Sequence, residues 1–272
     1  MLSEKDLQAL CLSAMPTVRK ASHFIFEQIG KVSDDAIEAK EKNSLVSFVD
    51  KTAEEMIVEG LQKILPEAKF LTEEGTVEQN EGDVRWIIDP LDGTTNFLHN
   101  VPHFSVSVAL EINGELVMGI VEEVNRKETH YAWKNGGAFM NGRPIQVTKT
   151  EKTEDAVLVT GFPYSIEDTG PILTILDHWI KNSRGIRRFG SAALDLAYVA
   201  KGIFDFYYET TLNAWDVAAG VIIVKEAGGM VSEYDGNDTF LDSGRILASN
   251  GRLHQQVLDV IQRAYGDNMI IV

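Results

Sequence analysis

Eight residues near the first third of the chain, Asp89-Pro90-Leu91-Asp92-Gly93-Thr94-Thr95-Asn96, place two carboxylates, two hydroxyls and a glycine at the end of the hydrophobic run Trp86-Ile87-Ile88. Carboxylate oxygens suit a hard cation such as Mg²⁺, which binds through a few carboxylates together with the phosphate oxygens of a substrate. Pro90 fixes the backbone between the two acids, which frees the Leu91 carbonyl to act as a third ligand instead of entering a strand ladder. Gly93 lets the backbone come close to an anion, and Thr94, Thr95 and Asn96 can start a helix whose free N–H groups face it. Taken alone, the same string also reads as a surface turn, since Asp, Pro and Gly each have a local reason to sit in one. Glu73-Glu74, Trp215-Asp216 and Asp50 supply the further parts that metal-assisted phosphate chemistry needs and a turn lacks.

The elements that must position these residues are legible from periodicity. An amphipathic helix runs from about Glu4 to Ile29, with Leu7, Leu10, Cys11, Ala14, Val18, Ala21 and Ile25 on one face and Pro16 expected to kink or restart it. A second runs from Asp50 to Leu65, with Ala53, Met56, Ile57, Leu61 and Ile64 as its apolar stripe. Strands follow at Lys69 to Thr72, Val84 to Ile88, Ser105 to Ile112 and Leu116 to Val124, the last two joined by the hairpin signal Asn113-Gly114. Asn135-Gly136 and Asn141-Gly142 repeat that device, so this half is expected to be largely antiparallel. The second half alternates: strands at Ala156 to Thr160, Ile203 to Tyr208, Met230 to Tyr234 and Ile246 to Ser249. Its helices are expected near Ile172 to Lys181, Ser191 to Lys201, Asn213 to Glu226 and Leu253 to Tyr265. The pattern predicts an α+β fold, a layered α/β/α/β/α sandwich.

The chain has 272 residues, 44% hydrophobic and 24% charged, enough to bury roughly 75% of its unfolded surface. No linker, repeat or low-complexity segment divides it, which predicts one domain over 1–272 with two packed halves, roughly 1–150 and 151–272. A formal charge of −16 disfavours nucleic acid or an anionic membrane as a partner. There is no apolar run long enough to span a bilayer and no signal-peptide pattern, so a cytoplasmic location is expected. The single Cys11 makes no internal disulfide, and no Cys/His cluster points to zinc.

Each site residue has a structural alternative. Asp50 starts a helix and could serve as its N-cap, in competition with a hydrogen bond to Thr94. Asp216 falls in the first turn of an apolar helix, where the helix dipole favours an acid. Glu73 and Glu74 could be a solvated pair, although after a strand one of them can point inward. Gly190-Ser191-Ala192 could present N–H groups to a ligand or permit close packing. Glu209 could be an exposed acid at a strand end, and His99 and His103 read as packing or loop residues.

Taken in order, Asp50, Glu73-Glu74, the Asp89 to Thr95 run, Gly190-Ser191-Ala192-Ala193-Leu194-Asp195-Leu196 and Trp215-Asp216-Val217-Ala218-Ala219-Gly220 make the chain resemble the bacterial inositol monophosphatases. These belong to the lithium-sensitive, Mg²⁺-dependent sugar phosphatase superfamily, and the likeness covers nearly the whole chain. It implies that Glu73, Asp89 and the Leu91 carbonyl hold one Mg²⁺ and that Asp89, Asp92 and Asp216 hold a second, with Asp89 bridging. A third, weaker Mg²⁺ near Glu73 belongs to the family picture. It implies that Thr94, paired with Asp50, orients the attacking water and that Glu73 completes the catalytic set. Gly93, Thr94 and Thr95 would bind phosphate. Glu209, with Gly190, Ser191, Ala192, Asp92 and Asp216, would contact the substrate.

The sequence departs from the family where Ser44 and Ser47 stand in place of an Asp and a Thr, which weakens the support for the third ion. Lys40 and Lys42 offer positive charge to that loop. The resemblance implies hydrolysis of myo-inositol monophosphate or a similar small polyol phosphate by a homodimeric enzyme. The alternatives are a fructose-1,6-bisphosphatase or nucleotide 3'-phosphatase of the same superfamily, and a non-catalytic phosphate-ligand or protein-binding module on this fold. The presence of both Glu73 and Thr94 favours an enzyme.

Overall fold

The computed structural model describes residues 2–32, 37–41, 44–80, 82–163 and 168–266, with only the backbone described for 37–41 and 44–46. Helix α1 (Glu4–Gln28) is followed by a hairpin of β1 (Ile37–Glu41) and β2 (Ser44–Ser47), and then by α2 (Phe48–Ile64). Strands β3 (Lys69–Thr72) and β4 (Val84–Asp92) lead to the short helix α3 (Thr94–Leu98). A meander follows: β5 (Ser105–Ile112), β6 (Glu115–Glu123), β7 (Glu128–Trp133), β8 (Gly137–Met140) and β9 (Arg143–Pro144). The second half runs β10 (Val157–Thr160), α4 (Gly170–Asn182), β11 (Gly185–Arg187), α5 (Ala192–Ala200), β12 (Phe206–Glu209) and α6 (Ala214–Glu226). It closes with β13 (Met230–Ser232), α7 (Phe240–Ser243), β14 (Ile246–Ser249) and α8 (His254–Tyr265).

Strands β3 to β9 form one sheet in sequence order, parallel only between β3 and β4 and antiparallel elsewhere. The second sheet has the order β11-β10-β12-β14-β13. Three apolar clusters separate the layers. Leu7, Val18, Ile25, Ile57 and Leu61 pack α1 and α2 on one face of the first sheet with Trp86 and Ile88. Ile87 and Val121 face the other way, onto α5 and α6, which the second sheet covers in turn. Ile175, Trp179, Val257 and Ile261 bring α4 and α8 onto the outer face of that sheet. The result is the expected α/β/α/β/α sandwich.

Helix α6 shows why the central layer is helical yet apolar. Val217 to Val224 are all buried, the pattern of a helix with no solvent face. Helix α1 behaves oppositely, burying one stripe. It also runs through Pro16 as one helix, so the expected restart does not occur. Pro16 and Leu12 both lie on the exposed face, so the carbonyl that loses its partner faces water instead of the core. The Asn113-Gly114 turn has both residues at positive φ, as a tight hairpin requires. The β1–β2 hairpin and β11 carry too little periodicity to have been expected.

Candidate active site

Strand β4 breaks register at the motif: Asp89 pairs with Ser107 and Asp92 with Ser105. Three steps along β4 thus match two along β5, a bulge formed where Pro90 has no N–H to give the ladder. The Leu91 N–H turns back onto Asp89 Oδ1 at 2.9 Å. On the neighbouring parallel strand Thr72 pairs with Ile88, and the Glu73 N–H donates to the Ile88 carbonyl at 3.2 Å. This pairing brings Glu73 beside Asp89, and the two carboxyls share a hydrogen bond.

Helix α5 starts at Ser191, whose hydroxyl donates to Asp92 Oδ2 at 2.5 Å, joined by the Ala193 N–H at 2.8 Å. The Ser191 hydroxyl is thereby directed at Asp92. Asp216 closes a capping box at the start of α6, accepting from the Asn213 N–H at 2.6 Å. Strand β12 ends at Glu209, which takes the Tyr207 hydroxyl at 2.6 Å.

Glu73, Asp89, Leu91, Asp92, Gly93, Thr94, Thr95, Gly190, Ser191, Ala192, Glu209 and Asp216 all line one cavity of about 490 Å³. Burial holds the Asp89 carboxyl well above the usual carboxylate range, and the charges of Glu73, Asp92 and Asp216 push the same way. Asp216 is raised by burial and then by Glu73. Asp92 is pushed up to about 6 by burial, against the opposing pull of its Ser191 and Ala193 bonds. Glu209 is pushed up to about 7 by burial, partly offset by Tyr207 and Arg188.

As they stand, no three His, Cys, Asp or Glu side chains among the described residues form a ready set of metal ligands. Burial and the charges of Glu73, Asp92 and Asp216 favour the neutral form of Asp89, with the Glu73 hydrogen bond adding to them, and Arg188 is the one cationic side chain among the described residues that line the cavity. Crowded carboxylates of this kind favour the neutral form until a cation takes the proton's place. An all-oxygen, acid-rich donor set of this type fits a hard divalent ion.

Behind the cavity, the Thr94 hydroxyl faces Asp50 Oδ1 at 2.9 Å and the Leu91 carbonyl at 3.0 Å. The structure corrects the expected place of Asp50. The N-cap of α2 is Ser47, and Asp50 is the third helical residue of its capping box. Asp50 Oδ2 accepts from the Ser47 N–H at 2.9 Å and the Ser47 hydroxyl at 2.8 Å. Capping and the Thr94 bond therefore use different oxygens, and the anticipated competition does not arise.

Gly93 has φ 97°, and a Cβ on it would lie 3.2 Å from the carbonyls of Gly190 and His103, so the two halves of the site meet where a side chain would be strained and crowded. His103 is buried against the Phe189 ring, and His99 lies exposed at the end of α3. Neither lines the cavity. Lys42 lies outside the described residues, as do the side chains of Lys40 and Ser44.

Sequence reasoning missed Arg188 and Gly161, and read Asn96 only as part of a helix start. Arg188 lines the cavity. Asn96 donates from Nδ2 to the carbonyls of His103 at 2.8 Å and Phe189 at 2.7 Å, clasping the α3 turn to the loop before α5. At Gly161 a Cβ would fall 2.0 Å from Glu209 Oε2. A single arginine before a Gly-Ser helix start and an Asn after two threonines carried weak signals; a lone glycine after a strand carried none.

A cavity of this chemistry, set where two sheets and the helices between them converge, suits a hydrolase acting on phosphate esters. Residues 6–265 match the inositol monophosphatase family, and the chain belongs to it. It is 42% identical over 257 residues to the inositol-1-monophosphatase of Rhizobium meliloti, covering 94% of this chain and 97% of that one. It is 39% identical over 262 residues to the Nus factor SuhB of Pseudomonas aeruginosa, with coverages of 94% and 97%. The fructose-1,6-bisphosphatase/inositol-1-monophosphatase of Thermotoga maritima is 40% identical over 245 residues, with coverages of 90% and 92%. Among solved structures, the extragenic suppressor protein suhB of Bartonella henselae matches with a TM-score of 0.90 and 37% identity over 94% of this chain and 99% of that one. The chain is a phosphatase of this family. No helix among the described residues is long and apolar enough to cross a membrane.

Proposed function

We propose that the chain is a Mg²⁺-dependent phosphomonoesterase that hydrolyses myo-inositol monophosphate, or a polyol phosphate of similar size, to the free polyol and phosphate. The observation that carries this reading is the meeting, in one cavity, of Glu73, Asp89, Asp92 and Asp216 with a Thr94 hydroxyl already engaged by Asp50. Glu73, Asp89 and the Leu91 carbonyl would hold one Mg²⁺, and Asp89, Asp92 and Asp216 a second; a third would be weak. Bound there, the ions neutralise phosphate charge, acidify the attacking water and stabilise the leaving oxygen.

The protein's own residues do the rest. Thr94, steadied by Asp50, orients the water along the P–O axis, and Gly93, Thr94 and Thr95 line the place of the phosphate. Glu209 accepts a hydrogen bond from a hydroxyl of the polyol, beside Gly190, Ser191 and Ala192. Because the cavity draws walls from both halves, we take residues 1–272 as one functional domain. Inhibition by lithium, a homodimeric state and a cytoplasmic location belong to the same reading.

Two relatives carry names that leave other readings open: the Thermotoga maritima protein is named both fructose-1,6-bisphosphatase and inositol-1-monophosphatase, and the Pseudomonas aeruginosa protein a Nus factor. Phosphate release from a panel of inositol, sugar and nucleotide phosphates, with Mg²⁺ and with chelator, separates them. We expect fast, chelator-sensitive release from inositol monophosphate. A clear preference for fructose-1,6-bisphosphate or a nucleotide would move the assignment within the class, and no turnover with any ester would leave a binding module.

A further inference from the structure

Four hydrogen bonds converge on a carboxylate that the reaction scheme leaves out. Glu54 lies on α2 one turn beyond Asp50 and is 0% exposed. Its Oε1 accepts from the Thr72 hydroxyl at 2.9 Å, the Thr76 N–H at 2.7 Å and the Thr76 hydroxyl at 2.8 Å. Its Oε2 accepts from the Glu74 N–H at 2.7 Å. A buried carboxylate is tolerated only when its oxygens are satisfied, and bonds to a charged acceptor are roughly twice as strong as neutral ones.

The donors come from the end of β3 (Thr72) and the turn after it (Glu74 and Thr76), on either side of Glu73. Gln79 ties down the same turn from outside, accepting the Thr72 N–H at 3.0 Å and donating to the Thr72 hydroxyl at 2.9 Å. Among residues 72–76 only Glu73 lines the cavity. The network therefore fixes the backbone on both sides of the one side chain that reaches the site.

We propose that Glu54 is a positioning residue that sets the Glu73 carboxylate and, through it, the affinity of the site for divalent cations. This rests on the reading of Glu73 as a cation ligand. Asp50 and Glu54 lie four residues apart, on one face of α2. Asp50 steadies the water-orienting Thr94, and Glu54 steadies the turn that carries Glu73. Helix α2 thus acts as a gauge that holds the hydroxyl and the ligand at a fixed spacing, although it contributes no side chain to the cavity lining.

The test titrates Mn²⁺ into the substrate-free protein by calorimetry and, separately, measures kcat against Mg²⁺ concentration. Loss of a partner that orients a metal ligand weakens metal affinity about 10- to 100-fold. Glu54→Gln should therefore raise the Mn²⁺ Kd by that factor and raise the Mg²⁺ needed for half-maximal rate in parallel. At saturating Mg²⁺, kcat should return to within about threefold of the parent. Thr76→Val removes one of the four bonds without unpairing a buried charge, and should weaken Mn²⁺ binding about three- to fivefold; it carries the test if Glu54→Gln does not fold. Asp50→Asn should give the opposite split, a lower kcat at unchanged Mn²⁺ affinity.

Glu73→Gln separates the two layers of the argument. If it leaves Mn²⁺ affinity unchanged, the ligand reading fails. If it weakens binding while folded Glu54→Gln and Thr76→Val bind Mn²⁺ as the parent does, the positioning inference alone is overturned. The Glu54→Gln/Glu73→Gln double variant should bind little worse than Glu73→Gln alone, because the first residue acts through the second.

Discussion

The two walls of the cavity are built by different means. The wall from the first half takes Asp89 and Asp92 from the bulge that ends β4, Glu73 from the residue after the paired strand β3 and Thr94 from the start of α3 directly after β4, so main-chain pairing sets the spacing of the acids. The wall from the second half takes Ser191 and Asp216 from the starts of two helices and Glu209 from a strand end. Those positions depend on how helices pack, and they are held by side-chain bonds such as Tyr207 to Glu209. Sheet backbone is the more rigid support for groups that must meet within a fraction of an ångström, whereas side chains at element ends are easily varied to change specificity. Chemistry on the first wall and recognition on the second is the division this suggests, with Asp216 as the ligand that crosses over.

The largest effect should come from the centre of the first wall. Asp89→Asn should lower kcat by at least about 10³-fold, since an amide cannot balance two dications. The metal-free protein should melt at an equal or higher temperature, because burial and three neighbouring acids already disfavour the Asp89 charge. A variant with substantial Mg²⁺-dependent turnover would overturn the bridging role.

Next comes the hydroxyl behind it. Thr94→Ala should cost about 10²- to 10⁴-fold in single-turnover phosphate release at saturating Mg²⁺, while Thr94→Ser keeps much of the rate. The Asp50→Asn/Thr94→Ala double variant should be little worse than the worse single; fully multiplicative losses would mean the two residues act independently.

The clasp between the walls is expected to matter less. Asn96→Ala frees the carbonyls of His103 and Phe189 and should slow inositol monophosphate and aryl phosphate hydrolysis alike, about tenfold, through misalignment. A loss confined to one substrate would assign Asn96 to a single wall. The smallest effect is expected at Gly161→Ala. The new Cβ should push the Glu209 carboxylate aside and cost a few-fold in kcat/KM for inositol monophosphate alone.

What the sequence made legible follows the same division. The first wall is compact in sequence, with Asp89 to Thr95 spanning one strand end and the helix start that follows it, so residue types alone spelled out its chemistry. Asp50 was recognisable as an acid at a helix start, but its exact place in the cap depended on Ser47, which only the backbone reveals. Glu54 escaped notice although its position, one turn from Asp50 on a buried face, was a signal: an acid there must be satisfied by something. On the second wall Asp216 and Glu209 emerged from family resemblance, whereas Arg188 and Gly161 did not. Their roles arise from packing between segments far apart in sequence, which no local pattern encodes.

The most direct test of the division between walls compares Thr94→Ala with Glu209→Gln on two substrates, inositol monophosphate and an aryl phosphate lacking the polyol hydroxyls. The measurement is made well above pH 7, where a Glu209 carboxyl pushed up to about 7 by burial is mostly ionised. Thr94→Ala should reduce kcat/KM for both substrates by the same factor. Glu209→Gln should reduce it about 10- to 100-fold for inositol monophosphate and leave the aryl ester within about twofold. Equal losses on both substrates for Glu209→Gln would contradict the account, tying Glu209 to the chemistry of the first wall instead of to recognition by the second.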